Sequence, residues 1–224
     1  MRKHDHGNPK NGNNAPLLPG PKSALIIFTR NPELGKCKTR LAATVGDGAA
    51  LKIYGFLLRH TVAITSPLAV DKFVYYSVKV RQGDLWDPTV FTKKAQQGAD
   101  LGTRMQNAFA EVFAMGYQRA VIIGSDMFDM AAADLEEAFA KLQHNDFVVG
   151  PAQDGGYYLL GMKQLKTEIF KNKTWGGPTV LKATLSDLKN EKTALLPERN
   201  DVDYYEDIEH IGAFQPFIKH VSAQ

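Results

Sequence analysis

Short apolar segments alternate with longer amphipathic segments along most of the chain, and this alternation limits the fold more than any other feature. Four segments have the composition of buried strands: 24–29 (ALIIFT), 72–78 (KFVYYSV), 120–125 (AVIIGS) and 146–151 (DFVVGP). Amphipathic patterns between them predict helices: 48–65, 100–116 and 131–143. Strands that alternate with helices favour an α/β fold with a mostly parallel, doubly wound sheet.

The pattern changes after residue 151. The stretch AQDGGYYLLGM predicts a turn and another strand, GPTVLKATLSDLKNE a helix and TALLP a short strand. We therefore expect one domain over residues 23–224, whose second half covers the substrate. A chain of 224 residues is long enough to bury a core of this kind.

The first 22 residues are rich in Asn, Gly and Pro and show neither helical nor strand periodicity, so we expect a flexible tail outside the fold. Four basic residues and Asp5 give this tail a net charge of +3, which equals the charge of the whole chain. The remaining chain is thus neutral overall, and the sequence gives no reason to expect a nucleic-acid partner.

Two further observations concern the environment of the protein. No apolar run approaches the roughly 18 residues of a membrane span, and the tail lacks the apolar region of a secretory signal. The single cysteine, Cys37, excludes an internal disulfide and fits a reducing compartment. We expect a cytoplasmic protein that is either a monomer or a homodimer.

A cationic loop, RNPELGKCKTRL, follows the first predicted strand. Pro32 to Gly35 has the composition of a turn. The loop carries four basic residues: Arg30, Lys36, Lys38 and Arg40. The loop departs from the nucleotide-binding Walker A pattern, and Gly-x-Gly-x-x-Gly is absent from the chain. Exposed backbone N–H groups and these cations could hold a di- or triphosphate. The alternative is a solvated basic loop.

Carboxylates follow the strand at 120–125. Asp126 would lie at the carboxyl edge of the sheet, where it could bind Mg²⁺ together with phosphate oxygens. Asp129 could share the ion or cap the next helix. Asp201 and Asp203 offer a second ligand, although Asp203 could instead cap a short helical pattern after it.

Two more motifs are placed to bind substrate. In QQGADLGTRM, Asp100, Gly102 and Arg104 stand at a helix start, where free N–H groups favour an anion or a base carbonyl; a plain N-cap is the alternative for Asp100. In DGGYY, Asp154 precedes Gly155 and Gly156 beyond the strand at 146–151.

These motifs, together with WGGPTV and DVDYYEDI and in this order, resemble a bacterial family of glycosyltransferase-A-like transferases. Some members are assigned to arsenosugar biosynthesis, and the family is related to guanylyltransferases of molybdenum-cofactor and coenzyme F420 synthesis. The resemblance covers residues 24 to about 210 and implies a nucleotide-diphospho-sugar transferase fold. The sequence departs from the family pattern at Met127-Phe128 and Gly176-Gly177, where Cys-Pro and Ser-Thr are usual.

The resemblance also implies roles for the motif residues. Lys38 and Arg40 would lie near the phosphates, and Asp126 with Asp203 would bind Mg²⁺ or Mn²⁺. In a glycosyltransferase an acceptor hydroxyl attacks the sugar, with Asp154 as base. In a nucleotidyltransferase a substrate phosphate attacks the α-phosphorus of a nucleoside triphosphate. A nucleotide-binding module without catalysis is the third possibility.

Overall fold

Seven strands form one sheet in the computed structural model, which describes residues 22–221. The strands are β1 (Ser23–Thr29), β2 (Asp71–Tyr76), β3 (Phe91–Ala95), β4 (Arg119–Gly124), β5 (Phe147–Pro151), β6 (Tyr157–Met162) and β7 (Thr193–Leu195). Their order across the sheet is β3-β2-β1-β4-β6-β5-β7. Among these seven described strands, β6 alone runs antiparallel to its neighbours. The mostly parallel α/β sheet expected from the sequence is confirmed.

Helices connect most of these strands. They are α1 (Thr39–Val45), α2 (Asp47–Thr65), α3 (Leu101–Ala114), α4 (Ala132–His144), α5 (Val180–Asp187) and α6 (Gln215–Ile218), with short 3₁₀ turns at Thr167–Phe170 and Gly212–Phe214. The helices predicted at 48–65, 100–116 and 131–143 correspond to α2, α3 and α4. The sequence did not predict α1, because a helix of seven residues carries too little periodicity to be recognised.

The sheet is buried on both faces. Along β1, Ala24 and Ile26 belong to the hydrophobic cluster that includes Phe109 of α3, and Leu25 and Ile27 belong to the cluster under α2 and α4. All four β1 side chains are fully buried. This two-sided burial explains why the sequence of β1 is a continuous apolar run and does not alternate between apolar and polar residues.

The last part of the described chain packs on the outer side of α2. Phe214 is fully buried, and its ring lies 5.3 Å from the ring of Phe56 and 4.8 Å from that of Phe128. Phe128 follows β4, so this contact fixes the segment after residue 200 beside the carboxyl edge of the sheet. Phe128 thus has a structural role where the family resemblance led us to expect proline.

The short helix expected after Asp203 does not form, and that expectation is wrong. Residues 204–210 form bends and turns. The carboxylate of Asp207 accepts hydrogen bonds from the backbone N–H groups of Asp203 (2.8 Å) and Tyr204 (2.6 Å). These bonds stabilise a turn in place of the helix. Asp203 is therefore not a helix cap.

The expected N-terminal tail lies outside the described residues except for Lys22. The Lys22 carbonyl accepts the N–H of Gln118 at 2.8 Å, and its ammonium lies 4.1 Å from the ring centroid of Tyr117. Lys22 is thus part of the folded domain, one residue before the expected boundary. Between residues 22 and 221, no helix has both the length and the apolar character needed to cross a membrane.

Candidate functional site

Two adjoining cavities open where the carboxyl ends of β1 and β4 meet the start of β6. Because β6 is antiparallel to β4, its first residues lie at the same sheet edge as Gly124. The polar cavity, of about 590 Å³, lies beside the loop after β1. The apolar cavity, of about 210 Å³, lies beside β6. Both are lined by Phe28, Leu101, Gly124, Asp126, Asp154 and Gly176.

The hydroxyl of Tyr54 on α2 connects the loop after β1 with the loop after β4, beneath the polar cavity. It accepts the backbone N–H of Arg30 at 2.8 Å and lies 3.2 Å from the hydroxyl oxygens of both Thr29 and Ser125. Burial raises the pKa of Tyr54, so the group stays neutral and can donate and accept these bonds. This network fixes the ends of β1 and β4 relative to each other.

The cationic loop is attached to the domain rather than free in solvent. The buried Asn31 side chain donates to the carbonyl of Lys79 at 2.8 Å and accepts the N–H of Val78 at 3.0 Å. Cys37 is also buried, with 3% of its surface exposed. The loop after β1 therefore has a defined path, which places its charged side chains at fixed positions.

Lys38 lies at the centre of the site. Its backbone is left-handed, with φ 49° and ψ 51°, at the N-cap of α1. Its ammonium lies 2.8 Å from Asp126 Oδ2 and 3.8 Å from Asp203 Oδ1, and only 7% of the side chain is exposed. A non-glycine residue in this conformation costs about 1–3 kcal/mol, a strain that is frequent at functional sites.

Lys38 and Asp126 are both charged near neutral pH. Burial acts to raise the pKa of Asp126, but the Lys38 ammonium and the Arg30 charge outweigh it and hold that pKa below its usual value. Burial acts to lower the pKa of Lys38, but Asp126 and Asp203 outweigh it and raise that pKa. The two residues form an ion pair at the boundary of both cavities.

Five cations line the polar cavity: Arg30, Lys36, Lys38, Arg40 and Arg104. Arg40 donates to Asp203 Oδ2 at 2.6 Å, and Lys36, with 73% of its side chain exposed, pairs with Glu33 at 2.7 Å. Arg104 donates to the Gly98 carbonyl at 3.0 Å. The structure thus brings all the cations of the expected site together around one cavity.

Four residues of the expected site line neither cavity: Gly35, Asp100, Gly102 and Gly155. Asp100 is the N-cap of α3, where its carboxylate accepts the N–H of Thr103 at 2.7 Å. This is the capping alternative considered from the sequence. Gly35 and Gly155 have positive φ values of 71° and 84° and shape the turns that carry their neighbours.

The apolar cavity is walled by aromatic side chains that the sequence did not single out. Trp175 packs directly on Gly102, where an added Cβ would lie 2.4 Å from the indole Nε1. Gly102, expected at a helix start that binds an anion or a base carbonyl, makes room for this indole. The Tyr157 hydroxyl donates a hydrogen bond to the Met105 sulfur at 3.9 Å, and burial raises the pKa of Tyr157. Gly156 also lines this cavity.

Two carboxylates at the apolar cavity make no ion pair with a described residue. Asp154 Oδ1 accepts the N–H of Gly156 at 2.8 Å. Asp201 makes neither a hydrogen bond nor an ion pair within the described chain, and burial together with the charges of Asp126 and Asp154 raises its pKa to about 6. From the sequence, Asp201 was a candidate second metal ligand together with Asp203.

Asp129 does not serve as the cap of α4, so that interpretation is wrong. The N-cap position is Ala131, whose N–H donates to Asp134 at 2.7 Å. The Asp129 carboxylate lies 3.5 Å from Arg199 instead. Neither cavity is lined by Asp129.

The site offers two carboxylates to a divalent cation. Asp126 and Asp203 both lie within 4 Å of one cation, the Lys38 ammonium. No group of three or more acidic, His or Cys side chains among residues 22–221 is arranged to hold a metal. A pair of carboxylates completed by phosphate oxygens suits Mg²⁺ or Mn²⁺, so these residues fit the expected ion.

Residues 61–177 match the family described as uncharacterized protein conserved in bacteria (DUF2064). No curated protein matches this chain. A solved structure from Desulfovibrio desulfuricans G20, provisionally assigned as a nucleotide-diphospho-sugar transferase, is 30% identical to it. The similarity covers 90% of this chain and 95% of that one, with a TM-score of 0.77.

More distant structures share the fold. The 4-diphosphocytidyl-2C-methyl-D-erythritol synthase of Anaerococcus prevotii DSM 20548 is 9% identical over 88% of this chain and 97% of that one, with a TM-score of 0.57. The inositol-1-phosphate CTP transferase of T. maritima is 11% identical over 91% and 97%, with a TM-score of 0.51. The fold is therefore that of nucleotide-diphospho-sugar transferases and related cytidylyltransferases.

Proposed function

This chain belongs to the bacterial DUF2064 family, and we propose that it is a metal-dependent transferase that moves a sugar from a nucleoside-diphosphate donor to a small-molecule acceptor. A relative that is 30% identical over most of both chains is provisionally assigned as a nucleotide-diphospho-sugar transferase, which supports a transferase that uses nucleotides.

One observation carries the proposal: two cavities of different character share a wall that contains Asp126 and Asp154. The polar cavity, with its five cations, suits the diphosphate and ribose of a donor. The apolar cavity, with its aromatic walls, suits a second substrate. A sugar placed between them would have its anomeric carbon next to both carboxylates.

Different residues of the chain have different roles in such a transfer. Lys38 and Arg40 hold the diphosphate oxygens by charge-assisted hydrogen bonds, each contributing about 1.5–3 kcal/mol. Asp154 accepts the proton of the acceptor hydroxyl as its oxygen bonds to the anomeric carbon. The bond from that carbon to the phosphate oxygen breaks, and the nucleoside diphosphate leaves. Mg²⁺ or Mn²⁺ held by Asp126 and Asp203 would neutralise the leaving group.

The cation content of the polar cavity also favours a second candidate. Five basic side chains around one cavity suit a triphosphate as well as a diphosphate. In that case the chain would be a nucleotidyltransferase, with a phosphorylated small molecule as the attacking group and pyrophosphate as the leaving group.

The test is product release from a panel of nucleotide sugars and nucleoside triphosphates in the presence of Mn²⁺. We expect nucleoside diphosphate from one nucleotide sugar, slowly in water and faster with an acceptor. Asp126→Asn should abolish release and Mn²⁺-dependent nucleotide binding while thermal melting shows a folded protein. Glu136→Gln, at an exposed position of α4, is the control. Release of pyrophosphate alone would support nucleotidyl transfer, and no nucleotide binding would overturn both candidates.

A further inference from the structure

The apolar cavity has a charge pattern that differs from that of the polar cavity. Three carboxylates line it: Asp126, Asp154 and Asp201. None of the described residues that line it is Lys, Arg or His, whereas the polar cavity next to it has five cations. Negative charge in the apolar cavity would repel a phosphorylated or carboxylated substrate.

Two of these carboxylates make no ion pair within the described chain, although the Lys38 charge partly offsets that of Asp201. Lys38 pairs with Asp126 at 2.8 Å, but Asp154 and Asp201 make no ion pair with a basic residue of the described chain. A neutral ligand that fills the cavity would remove water from both carboxylates without a compensating charge, and this desolvation would cost binding free energy. A cationic ligand would offset that cost.

The walls suit a cation that carries apolar groups. Trp175, Tyr157, Tyr158 and Phe28 surround the cavity with aromatic surface. The faces of aromatic rings attract ammonium groups, most of all where water is excluded, and sites for quaternary ammonium ligands are built in this way. A volume of about 210 Å³ holds roughly seven water molecules, so the occupant is small.

We propose that the apolar cavity binds an acceptor alcohol that carries a positively charged, partly apolar group, such as an amino alcohol or a quaternary ammonium alcohol. The inference deepens the proposed function and rests on it, because the hydroxyl of such a compound is the group that would receive the sugar. It also argues against nucleotidyl transfer, whose acceptor is a phosphate.

The test compares three probes on the full-length protein by calorimetry. Choline is a quaternary ammonium alcohol, 3,3-dimethylbutanol is its uncharged isostere, and phosphocholine adds a phosphate. We expect choline to bind at least tenfold more tightly than either of the others. Equal affinity for choline and the isostere would overturn the inference, as would phosphocholine binding at least as tightly as choline.

A variant separates charge from shape. Asp201→Asn keeps the size of the side chain and should remove most of the preference for choline while affinity for 3,3-dimethylbutanol stays within twofold. Glu136→Gln again serves as the control, because it changes the net charge equally at a distant surface. An unchanged preference for choline in Asp201→Asn would contradict the assigned role of that carboxylate.

Parallel titration with Mn²⁺ and a nucleoside diphosphate separates this inference from the proposed function. If the nucleotide binds and choline shows no preference over its isostere, the acceptor class is wrong but the transferase proposal stands. If choline binds selectively and no nucleotide binds, the cavity is assigned correctly and the transferase proposal fails.

Discussion

Lys38 combines three properties that are rarely found in one residue. It has a left-handed backbone, an almost fully buried side chain and an ammonium shared by two carboxylates. An incoming phosphate would compete with Asp126 and Asp203 for this ammonium. The two carboxylates therefore hold the Lys38 ammonium in the position where a phosphate would bind it.

We predict that Lys38→Ala weakens nucleotide binding by tenfold or more, which corresponds to about 1.4 kcal/mol. The reason is the loss of a nearly buried charge-assisted bond to phosphate. Calorimetric titration with Mn²⁺ and nucleotide measures this. Lys36→Ala is the matched control, since Lys36 is exposed and already paired with Glu33, and its effect should be smaller. Equal affinities for wild type and Lys38→Ala would contradict the phosphate role.

Some residues of the site could be predicted from the sequence and others could not. Asp126 and Lys38 follow strands whose carboxyl ends must meet at one sheet edge, so their proximity followed from topology. Asp201 and Trp175 lie in irregular segments whose path is decided by tertiary packing. The local pattern named Asp201 as a candidate ligand beside Asp203, but it gave no signal that Asp201 and Trp175 would line the apolar cavity.

At the scale of single elements, α3 and Trp175 depend on each other through Gly102. We predict that Gly102→Ala displaces the indole, because the added Cβ would lie 2.4 Å from its Nε1. The apolar cavity should then lose affinity for its ligand, and the tryptophan fluorescence maximum should shift. Gly55→Ala within α2 is the control. It meets only the end of the Arg59 side chain at 3.8 Å and should stabilise the fold by about 0.5–1 kcal/mol.

The edge strand β3 is held by Asp84, which accepts hydrogen bonds from Tyr76 (2.6 Å) and Lys93 (2.7 Å). Burial acts to raise the pKa of Asp84, but these donors outweigh it and lower that pKa. A lowered pKa in the folded state means that the charge stabilises the protein above the unfolded value of about 3.9. This contribution is lost as the pH falls through the folded value.

We therefore predict that Asp84→Asn lowers the melting temperature at pH 7 and that the difference from wild type shrinks below about pH 4. Melting curves between pH 3 and pH 8 measure this. Glu136→Gln should show no such pH-dependent difference. A constant difference between Asp84→Asn and wild type across the range would show that the carboxylate charge contributes nothing.

The sequence identified the buried strands but missed β3. Its residues, FTKKA, include two lysines, and only Phe91 is fully buried. An edge strand pairs on one side only and tolerates charge, so its composition resembles that of a loop. Strand formation here depends on pairing with β2 and on Asp84, neither of which a local pattern reveals.

At the scale of the whole molecule, the C-terminal segment is attached through Phe214. We predict that Phe214→Ala lowers the free energy of unfolding by about 3–5 kcal/mol, because a fully buried ring in contact with Phe56 and Phe128 leaves a cavity. Urea denaturation measures this loss. Phe214→Leu fills most of the space and should cost less. If both variants cost the same, cavity formation is not the cause.

The expectation of a single domain over 23–224 stays a prediction, but the site itself spans most of the described chain. Arg40 and Asp203, which are 163 positions apart, are joined by a 2.6 Å hydrogen bond at the polar cavity. In the unfolded chain these residues are distant, so a nucleotide has nothing to bind there. At a concentration one hundred times its Kd, a ligand that binds only the folded protein adds about 2.7 kcal/mol of stability.

If the proposed nucleotide binding holds, this linkage would make the lifetime of the protein depend on its nucleotide supply. Proteases cleave mainly chains that have opened, and bound ligand lowers the population of open molecules. Protein without nucleotide would be degraded faster than occupied protein. A cell that runs short of the nucleotide would then hold less of this protein, without any change in its synthesis.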